Sequence, residues 1–215
     1  MTKTAIIIGA TGVVGSELLA LLLQSPAFGH VIAITRRKLD VEHTKLTNQV
    51  IDFDCLTNYC ALFKGDVFFS CLGTTKKQAG STAAQRKVDF DYQFIAAQMA
   101  ANNAVSHYCL VSSSGANAHS ISPYLKMKGE LEQHIKTLGF AKVSIFQPSL
   151  LMGERNDTRI AEQIGAFVLP VITQLPFLKR YKPITGKQVA LKMCAVSLAQ
   201  QQSLQYYVLE ALFDT

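Results

Sequence analysis

The sequence predicts an α/β fold in which helices cover both faces of a doubly wound parallel sheet. Apolar runs of strand length alternate with longer segments of helical period almost to residue 150. The strand runs are continuously apolar, as is typical of strands buried on both faces. A glycine-rich turn joins the first strand to the first helix. This order is typical of a Rossmann-type fold, with strands predicted at Thr4–Gly9, Val31–Thr35, Gln49–Phe53, Asp66–Cys71, His107–Ser112 and Lys142–Gln147.

The predicted helices and the chain's end suggest a core and a small lobe. Beyond residue 148 the strand pattern ends, and residues 149–186 contain three of the six prolines. We expect residues 1–150 to form the core. Residues 151–215 would form a substrate-side lobe of loop and helix, with a helix from Lys187 to about Gln200, packed on the core within one structural domain. The core helices are predicted by their apolar period at Val13–Gln24, Ala83–Asn102 and Tyr124–Leu138.

Composition argues against several classes of function. The net charge is +6, but the basic residues are scattered in twos and threes, and no nucleic-acid-binding motif occurs. We therefore expect no nucleic-acid partner. No apolar run reaches the roughly 20 residues needed to span a bilayer, so we expect no membrane insertion. With the first strand candidate starting at residue 4 and no signal peptide pattern, the expected location is cytoplasmic.

The cysteines and histidines predict neither disulfides nor a metal site. The five cysteines are odd in number and include no Cys-x-x-Cys pair. They are interpreted as reduced thiols. The five histidines show no spacing typical of a zinc site.

The first glycine-rich turn is the strongest indication of a ligand. Residues 6–15 read Ile-Ile-Ile-Gly-Ala-Thr-Gly-Val-Val-Gly. The first glycine permits a tight turn, the second lets the backbone approach a phosphate, and the third lets the helix pack on the strand. The helix N-terminus adds free N–H groups and a partial positive charge. An ordinary strand-to-helix turn is the alternative. The pattern favours dinucleotide binding through Gly9, Ala10, Thr11, Gly12, Val13, Val14 and Gly15.

The end of the second strand candidate indicates which nucleotide is preferred. In this fold, an acidic residue about 20 positions beyond the glycine turn bonds the ribose 2′-hydroxyl of NAD. The chain has Thr35, Arg36 and Arg37 there instead. A guanidinium group can hold a phosphate through two parallel N–H groups. We therefore expect Arg36 and Arg37 to bind a 2′-phosphate and NADP(H) to be preferred over NAD(H). A solvated Arg pair is the alternative.

Two further strand ends carry groups suited to the same cofactor. A carboxylate closing the third strand candidate could accept the adenine amino hydrogen. At the end of the fourth, a glycine permits close approach of the backbone, and threonine hydroxyls could reach ribose or phosphate. Because the carboxyl ends of parallel strands meet at one edge, these groups would line the cofactor together. They are Asp52, Phe53, Cys71, Leu72, Gly73 and Thr74.

Tyr124 and Lys128 are candidates for acid–base chemistry. They are four residues apart on a predicted helix, so their side chains lie on one face. A phenol is a poor base at neutral pH, and a neighbouring ammonium favours the phenolate. Tyr124 could exchange a proton with the substrate oxygen, and Lys128 could bond the nicotinamide ribose. Ser113 or Ser114 would polarise that oxygen, while Ser112 would support the cofactor. An exposed helix face is the alternative.

These motifs resemble the short-chain dehydrogenase/reductase superfamily, and in detail its atypical, Tat-interacting-protein-like branch of NAD(P)H-binding oxidoreductases. The resemblance runs in order along nearly the whole chain. It implies a Rossmann fold, NADP(H), an active site of Tyr, Lys and Ser, and a cofactor contact at Pro148. Besides the glycine turn, the matching segments are Cys71-Leu72-Gly73-Thr74-Thr75, Val88-Asp89-x-Asp91-Tyr92, Ser112-Ser113-x-Gly115-Ala116, Tyr124-Leu125-x-x-Lys128-Gly129-Glu130 and Phe146-x-Pro148.

Two positions depart from the pattern of that family. Asp89 stands where many relatives have the asparagine of a catalytic tetrad, which would alter a proton relay. Gln147-Pro148-Ser149 stands where Arg-Pro-Gly is common, which would alter the contacts to nicotinamide. Members of this branch often lack a known substrate, and several act through protein partners.

Two classes of function follow from this reading. The first is an NADP(H)-dependent oxidoreductase that acts on a small carbonyl or alcohol substrate. The second is an NADPH-binding regulatory or scaffold protein with little or no turnover. The intact Tyr124, Lys128 and serine set favours the enzyme, because a sensor has no need of an activated phenol. A protein partner or a homodimer is also expected, the latter through the helices at 83–102 and 124–138.

Overall fold

A seven-stranded parallel sheet organises the described part of the chain. The computed structural model describes residues 1–149, 151–152 and 183–212. In chain order the strands are β1 (Lys3–Ile8), β2 (Phe28–Thr35), β3 (Leu46–Val50), β4 (Val67–Ser70), β5 (His107–Val111), β6 (Lys142–Gln147), β7 (Leu151–Met152), β8 (Ile184–Thr185) and β9 (Leu204–Val208). Seven of them form a parallel sheet in the order β3-β2-β1-β4-β5-β6-β9. β7 and β8 form a separate parallel pair.

Helices connect these strands, as the alternating pattern predicts. They are α1 (Val13–Gln24), α2 (Lys76–Ala79), α3 (Thr82–Arg86), α4 (Tyr92–Asn102), α5 (Pro123–Ile135) and α6 (Gly186–Ala199). In the described ranges, 3₁₀ helices lie at Phe53–Leu62 and Leu209–Leu212.

A π-helical turn interrupts the helix that the sequence predicts over 83–102. It spans Lys87–Asp91, between α3 and α4. The Gln93 side-chain amide donates to the carbonyl oxygens of Val88 and Asp89 at 3.3 and 3.1 Å. The Gln93 side chain therefore donates hydrogen bonds to two carbonyl groups of the π-helical turn. π turns of this kind are frequent at functional sites.

Burial on both faces of β1 explains its continuous apolar run. Ala5 and Ile7 belong to the core cluster that includes residues of α1 and α6. Ile6 and Ile8 belong to the opposite cluster, with residues of α4 and α5. Side chains of a strand alternate between the two faces, so a strand covered twice needs apolar residues at every position. The predicted doubly wound Rossmann-type sheet is confirmed.

The third strand ends earlier than the sequence predicts. Asp52 and Phe53 were expected to close it, but β3 ends at Val50. Asp52 is instead the N-cap of the 3₁₀ helix, and its side chain accepts a hydrogen bond from Asp54 N–H at 2.9 Å. An Asp in this position favours the start of a helical turn over the continuation of a strand.

The end of the chain contributes to the main sheet. The helix expected at Lys187–Gln200 is confirmed as α6, whose N-cap Thr185 forms a capping box with Gln188. β9 was not among the predicted strands. As an edge strand it has only Tyr207 buried, so its apolar pattern is weak. The boundary at residue 150 stays a prediction, because residues 153–182, which comprise much of the expected substrate-side lobe, lie outside the described residues.

Candidate active site

The glycine turn has the close backbone contacts that its residue types predict. Gly9 has a φ of +78°, which L side chains rarely adopt. A Cβ at Gly9 would lie 2.4 Å from the Cys71 carbonyl carbon, and a Cβ at Gly15 would lie 2.1 Å from Gly9 O. Both values are far below a normal contact. Glycine is therefore required at both positions for β1, β4 and α1 to approach each other.

The N-terminus of α1 is open to an anion. Its N-cap is Gly12, which has no side chain to cap the helix. The first regular helix bond joins Ser16 N–H to Gly12 O at 3.0 Å. The N–H groups of Val13, Val14 and Gly15 precede that bond, and the first N–H groups of a helix have no carbonyl partner within it. Together with the narrow glycine cradle, these donors fit a dinucleotide pyrophosphate.

Arg36 and Arg37 lie at the same edge of the sheet as this turn. β1 and β2 are parallel neighbours with Ile8 beside Ile34, so the residues that follow each strand are close. Both arginines are exposed. Within the described part of the chain neither forms a salt bridge. Their guanidinium groups are therefore available to a ligand at this edge.

Asp52 and Phe53 are placed differently from each other. Asp52 is exposed, and one of its carboxylate oxygens caps the 3₁₀ helix. Phe53 is buried, and its ring packs on Tyr92 with 5.6 Å between ring centroids. The ring of Phe53 belongs to the core, whereas the second oxygen of Asp52 can still accept a hydrogen bond.

The loop after β4 links the glycine turn to the catalytic candidates. Its first residue, Cys71, underlies Gly9 through its backbone. Burial raises the pKa of the Cys71 thiol to about 12, a rise that nearby Lys128 opposes, so the side chain is a neutral thiol. Gly73 is exposed at the surface of the loop. Thr74 N–H donates to Asp89 Oδ2 at 3.2 Å, which fixes the far end of the loop.

Asp89 and Lys128 form an ion pair below this loop. Lys128 Nζ lies 3.0 Å from Asp89 Oδ1, and the exposed fractions of the two side chains are 3% and 0%. Asp89 Oδ1 accepts no hydrogen bond of regular geometry, so it remains an incompletely satisfied buried oxygen. The π-helical turn thus brings a carboxylate to the predicted active-site lysine.

Tyr124 lies in the first turn of α5, one turn before Lys128. It is half-buried, and its hydroxyl has no hydrogen-bond partner among the described residues. Ser113 and Ser114 are half-buried as well, and Ser114 N–H donates to the carbonyl oxygen of buried Pro148 at 2.9 Å. Both serines stay candidates for polarising a substrate oxygen.

Ser112 belongs to a buried polar cluster with Glu132 and Gln147. Its hydroxyl donates to Glu132 Oε1, which also accepts from Gln147 Nε2 at 2.9 Å. Burial raises the pKa of Glu132, and the hydrogen bonds from Ser112 and Gln147 oppose that rise. Glu132 was not among the residues predicted from the sequence. Its position four residues after Lys128, on the same helix stripe, was the available signal.

A polar cavity lies beside α5. Its volume is about 400 Å³, and Glu132, Lys136, Gln147 and Tyr206 are among its lining residues. None of the residues that line it belongs to the glycine turn. Where the chain is described, no group of three His, Cys, Asp or Glu side chains is arranged to hold a metal ion.

The sheet order and the glycine turn define a Rossmann-type nucleotide-binding protein. The chain belongs to the NAD(P)H-binding family, whose sequence model matches residues 9–173. It is 39% identical over 167 residues to Protein HTATIP2 of Rattus norvegicus, covering 76% of this chain and 69% of that protein. It is 36% identical over 211 residues to Protein FMP52, mitochondrial, of Coccidioides immitis, covering 91% and 86%. The predicted membership of the atypical short-chain dehydrogenase/reductases, on the HTATIP2 branch, is confirmed.

Solved structures agree on the fold. WbmH of Bordetella bronchiseptica, in complex with NAD+, is similar with a TM-score of 0.72 and 15% identity over 97% of this chain and 76% of its own. A short chain dehydrogenase family protein of Francisella tularensis has a TM-score of 0.68 and 12% identity, covering 96% and 97%. At such low identity these likenesses show the fold alone.

The predicted cytoplasmic location is wrong. The FMP52 relatives from Coccidioides immitis, Candida albicans and Aspergillus fumigatus are named mitochondrial proteins. The prediction rested on composition and on the start of the chain, and neither property determines an organelle. Among the described residues, no helix has the length and apolar character to cross a membrane.

Proposed function

We propose that this protein is an NADP(H)-dependent oxidoreductase that reduces or oxidises a small carbonyl or alcohol substrate. The observation that carries the proposal is the position of Lys128. It is buried beneath the loop after β4, one helical turn from Tyr124, whose hydroxyl has no hydrogen-bond partner among the described residues. Burying an ammonium is costly even when a carboxylate pairs with it, as Asp89 does here, so a lysine in this place indicates a specific task.

The chain's own residues divide the proposed chemistry among them. The backbone N–H groups of the glycine turn would hold the pyrophosphate, and the nucleotide, when bound, would supply or accept the hydride. Tyr124 transfers a proton to or from the substrate oxygen at its hydroxyl. Lys128 orients that hydroxyl electrostatically and donates to ribose hydroxyls. Ser113 or Ser114 donates a hydrogen bond to the substrate oxygen.

Turnover by Tyr124 can be tested directly. NADPH consumption is measured with aldehydes, ketones and quinones for the wild type and for Tyr124→Phe. We expect Tyr124→Phe to lower kcat by roughly 10²–10⁴-fold, the usual contribution of a general acid–base group, with little change in NADPH affinity. The matched control is Tyr92→Phe, which removes a hydroxyl that donates to Asp54 on the surface. Equal activity of the Tyr124 variant and the wild type would contradict the proposal.

The preference for NADP(H) is supported by the two exposed arginines after β2. The double variant Arg36→Ala with Arg37→Ala should weaken NADPH binding far more than NADH binding. The expected loss is roughly 10- to 150-fold for each charged contact removed. Calorimetric titration with both nucleotides measures it. Equal losses for NADPH and NADH would exclude a 2′-phosphate contact.

A regulatory or scaffold protein that binds NADPH without turnover is the second candidate. The ion pair between Asp89 and Lys128 favours it, because the carboxylate offsets the positive charge that would activate Tyr124. This candidate predicts nucleotide binding by calorimetry, no turnover on the substrate panel and no effect of Tyr124→Phe.

A further inference from the structure

The side chain of Asn48 connects β3 to the arginine-bearing turn that follows β2. Its Nδ2 group donates to Ala33 O at 3.0 Å and to Thr35 Oγ1 at 2.8 Å. Its Oδ1 accepts from Leu39 N–H at 2.8 Å. An asparagine amide can form four hydrogen bonds, and three are made here. Asn48 therefore joins the last residues of β2 to the residue where the turn ends.

Thr35 extends this connection into the turn. Its hydroxyl accepts from Asn48 and donates to Arg37 O at 2.7 Å. Thr35 is only 5% exposed, so its hydroxyl is held away from water. We refer to Thr35 and Asn48 as the turn clamp. The clamp fixes the turn backbone at two points, the carbonyl of Arg37 and the N–H of Leu39.

The backbone of this turn is held by hydrogen bonds, whereas the side chains of its two arginines are exposed. Arg36 and Arg37 are exposed and form no salt bridge with other described residues, whereas Leu39 is buried in the core cluster beside α1. The backbone is thus held in place while the guanidinium groups stay available. Fixing a binding loop before the ligand arrives strengthens binding, because less conformational entropy is lost in the complex.

We propose that the turn clamp sets the preference for a phosphorylated adenosine ribose. Asn48 and Thr35 act as positioning residues: they hold the backbone from which Arg36 and Arg37 reach a 2′-phosphate, and they do not touch the nucleotide. This inference rests on the proposed NADP(H) function. A nucleotide without the 2′-phosphate does not use these arginines, so its affinity should not depend on the clamp.

The hydroxyl of Thr35 provides the sharpest test. Thr35→Val keeps the shape of the side chain and removes both hydrogen bonds of the hydroxyl, the one to Arg37 O and the one from Asn48 Nδ2, whereas Thr35→Ser keeps both. Asn48→Ala removes the other half of the clamp. Gln49→Ala, on the same strand, is the matched control, since no side-chain hydrogen bond of Gln49 is found in the described structure. Dissociation constants for NADPH and NADH are measured by calorimetry, with melting curves to establish folding.

We expect Thr35→Val and Asn48→Ala to weaken NADPH binding about tenfold, equivalent to about 1.4 kcal/mol, and to leave NADH binding nearly unchanged. Thr35→Ser and Gln49→Ala should behave as the wild type. Equal weakening of both nucleotides, or no change in either, overturns the role of the clamp. If Asn48→Ala does not fold, the comparison of Thr35→Val with Thr35→Ser decides.

A failure of the NADP(H) proposal would give different binding results from a failure of the clamp alone. A wild-type protein that binds NADH as tightly as NADPH, or Arg36 and Arg37 variants that lose both nucleotides equally, overturns the NADP(H) proposal and the clamp's role with it. A wild type that prefers NADPH, together with clamp variants that keep the preference, overturns the clamp alone.

Discussion

Lys128 and Asp89 come from different helical segments and form an ion pair in the protein interior, with 3.0 Å between Nζ and Oδ1. Asp89 also accepts the N–H of Thr74, and so connects the loop after β4 to α5. One carboxylate thereby positions both the loop after β4, which is predicted to contact the cofactor, and the predicted active-site lysine.

Loss of this carboxylate should destabilise the protein strongly. We expect Asp89→Ala to lower the free energy of unfolding by about 3–5 kcal/mol, because it leaves a buried ammonium without a counter-charge. Asp89→Asn keeps an acceptor for the Thr74 N–H and should lower the free energy of unfolding by less than Asp89→Ala does. Urea unfolding measures both variants. The control is Lys87→Ala, which breaks the exposed pair with Asp54 and should have a much smaller effect. Similar losses for Asp89→Ala and Lys87→Ala would contradict a structural role for the buried pair.

Substitution of Gly9 should affect both stability and nucleotide binding. Gly9 and Gly80 have similar φ values, +78° and +87°, but a Cβ at Gly80 would meet no atom within 4 Å. Gly80→Ala should therefore lower the free energy of unfolding only by the cost of a positive φ for alanine, about 1–2 kcal/mol. Gly9→Ala should lower the free energy of unfolding further, because its Cβ would overlap the Cys71 backbone. It should also abolish the binding of NADPH and NADH. Unfolding and calorimetry test this, and equal stability losses would refute the steric argument.

His107 should make the protein less stable in mild acid. It is buried, with Nε2 2.7 Å from Ser144 Oγ, and burial together with Lys142 and Lys3 lowers its pKa to about 4. The unfolded state binds a proton below about pH 6.5 and the folded state does not, so stability falls as the pH drops from about 6.5 towards 4. The loss is at most roughly 3 kcal/mol.

The variant His107→Asn should flatten this pH dependence, measured by chemical unfolding between pH 4 and 7.5. His119→Asn, at an exposed position, is the control and should leave the slope unchanged. An unchanged slope for His107→Asn would show that other groups cause the acid sensitivity.

Glu132 should have the opposite effect on stability. Burial raises its pKa in the folded protein, so the folded state binds the proton more tightly than the unfolded state. Its contribution is favourable at low pH and is lost as the pH rises through the folded pKa. We expect Glu132→Gln to gain stability relative to the wild type as the pH is raised above about 4.5. Unfolding at several pH values measures the difference, with Glu17→Gln on the exposed side of α1 as control. A difference that does not grow with pH would rule out this linkage.

Much of the fold was predictable from local pattern. Six of the seven strands of the main sheet and the helices α1, α5 and α6 were anticipated, because continuous apolar runs and helical periods report burial directly. The glycine turn was predictable for the same reason, since its three glycines are close in the chain. β9 was missed because an edge strand buries few side chains and leaves a weak pattern.

The candidate site was predictable only in part. Tyr124 and Lys128 are neighbours on one helix, so their spacing indicated their common face. The hydrogen-bond partners that hold the site could not be predicted from spacing. Asn48 lies 13 residues from Thr35, and Glu132 lies 20 residues from Ser112. Whether such polar side chains meet depends on strand register and helix packing, which no local pattern encodes.

The sequence by itself determined the order of strands and helices, the glycine turn and the family, because each depends on residues adjacent in the chain or one helical turn apart. The tertiary structure alone decided that Asp89 faces Lys128 and that Asn48 braces the arginine turn. Both contacts arise because segments distant in sequence pack at the carboxyl edge of one sheet, where buried polar groups must find partners.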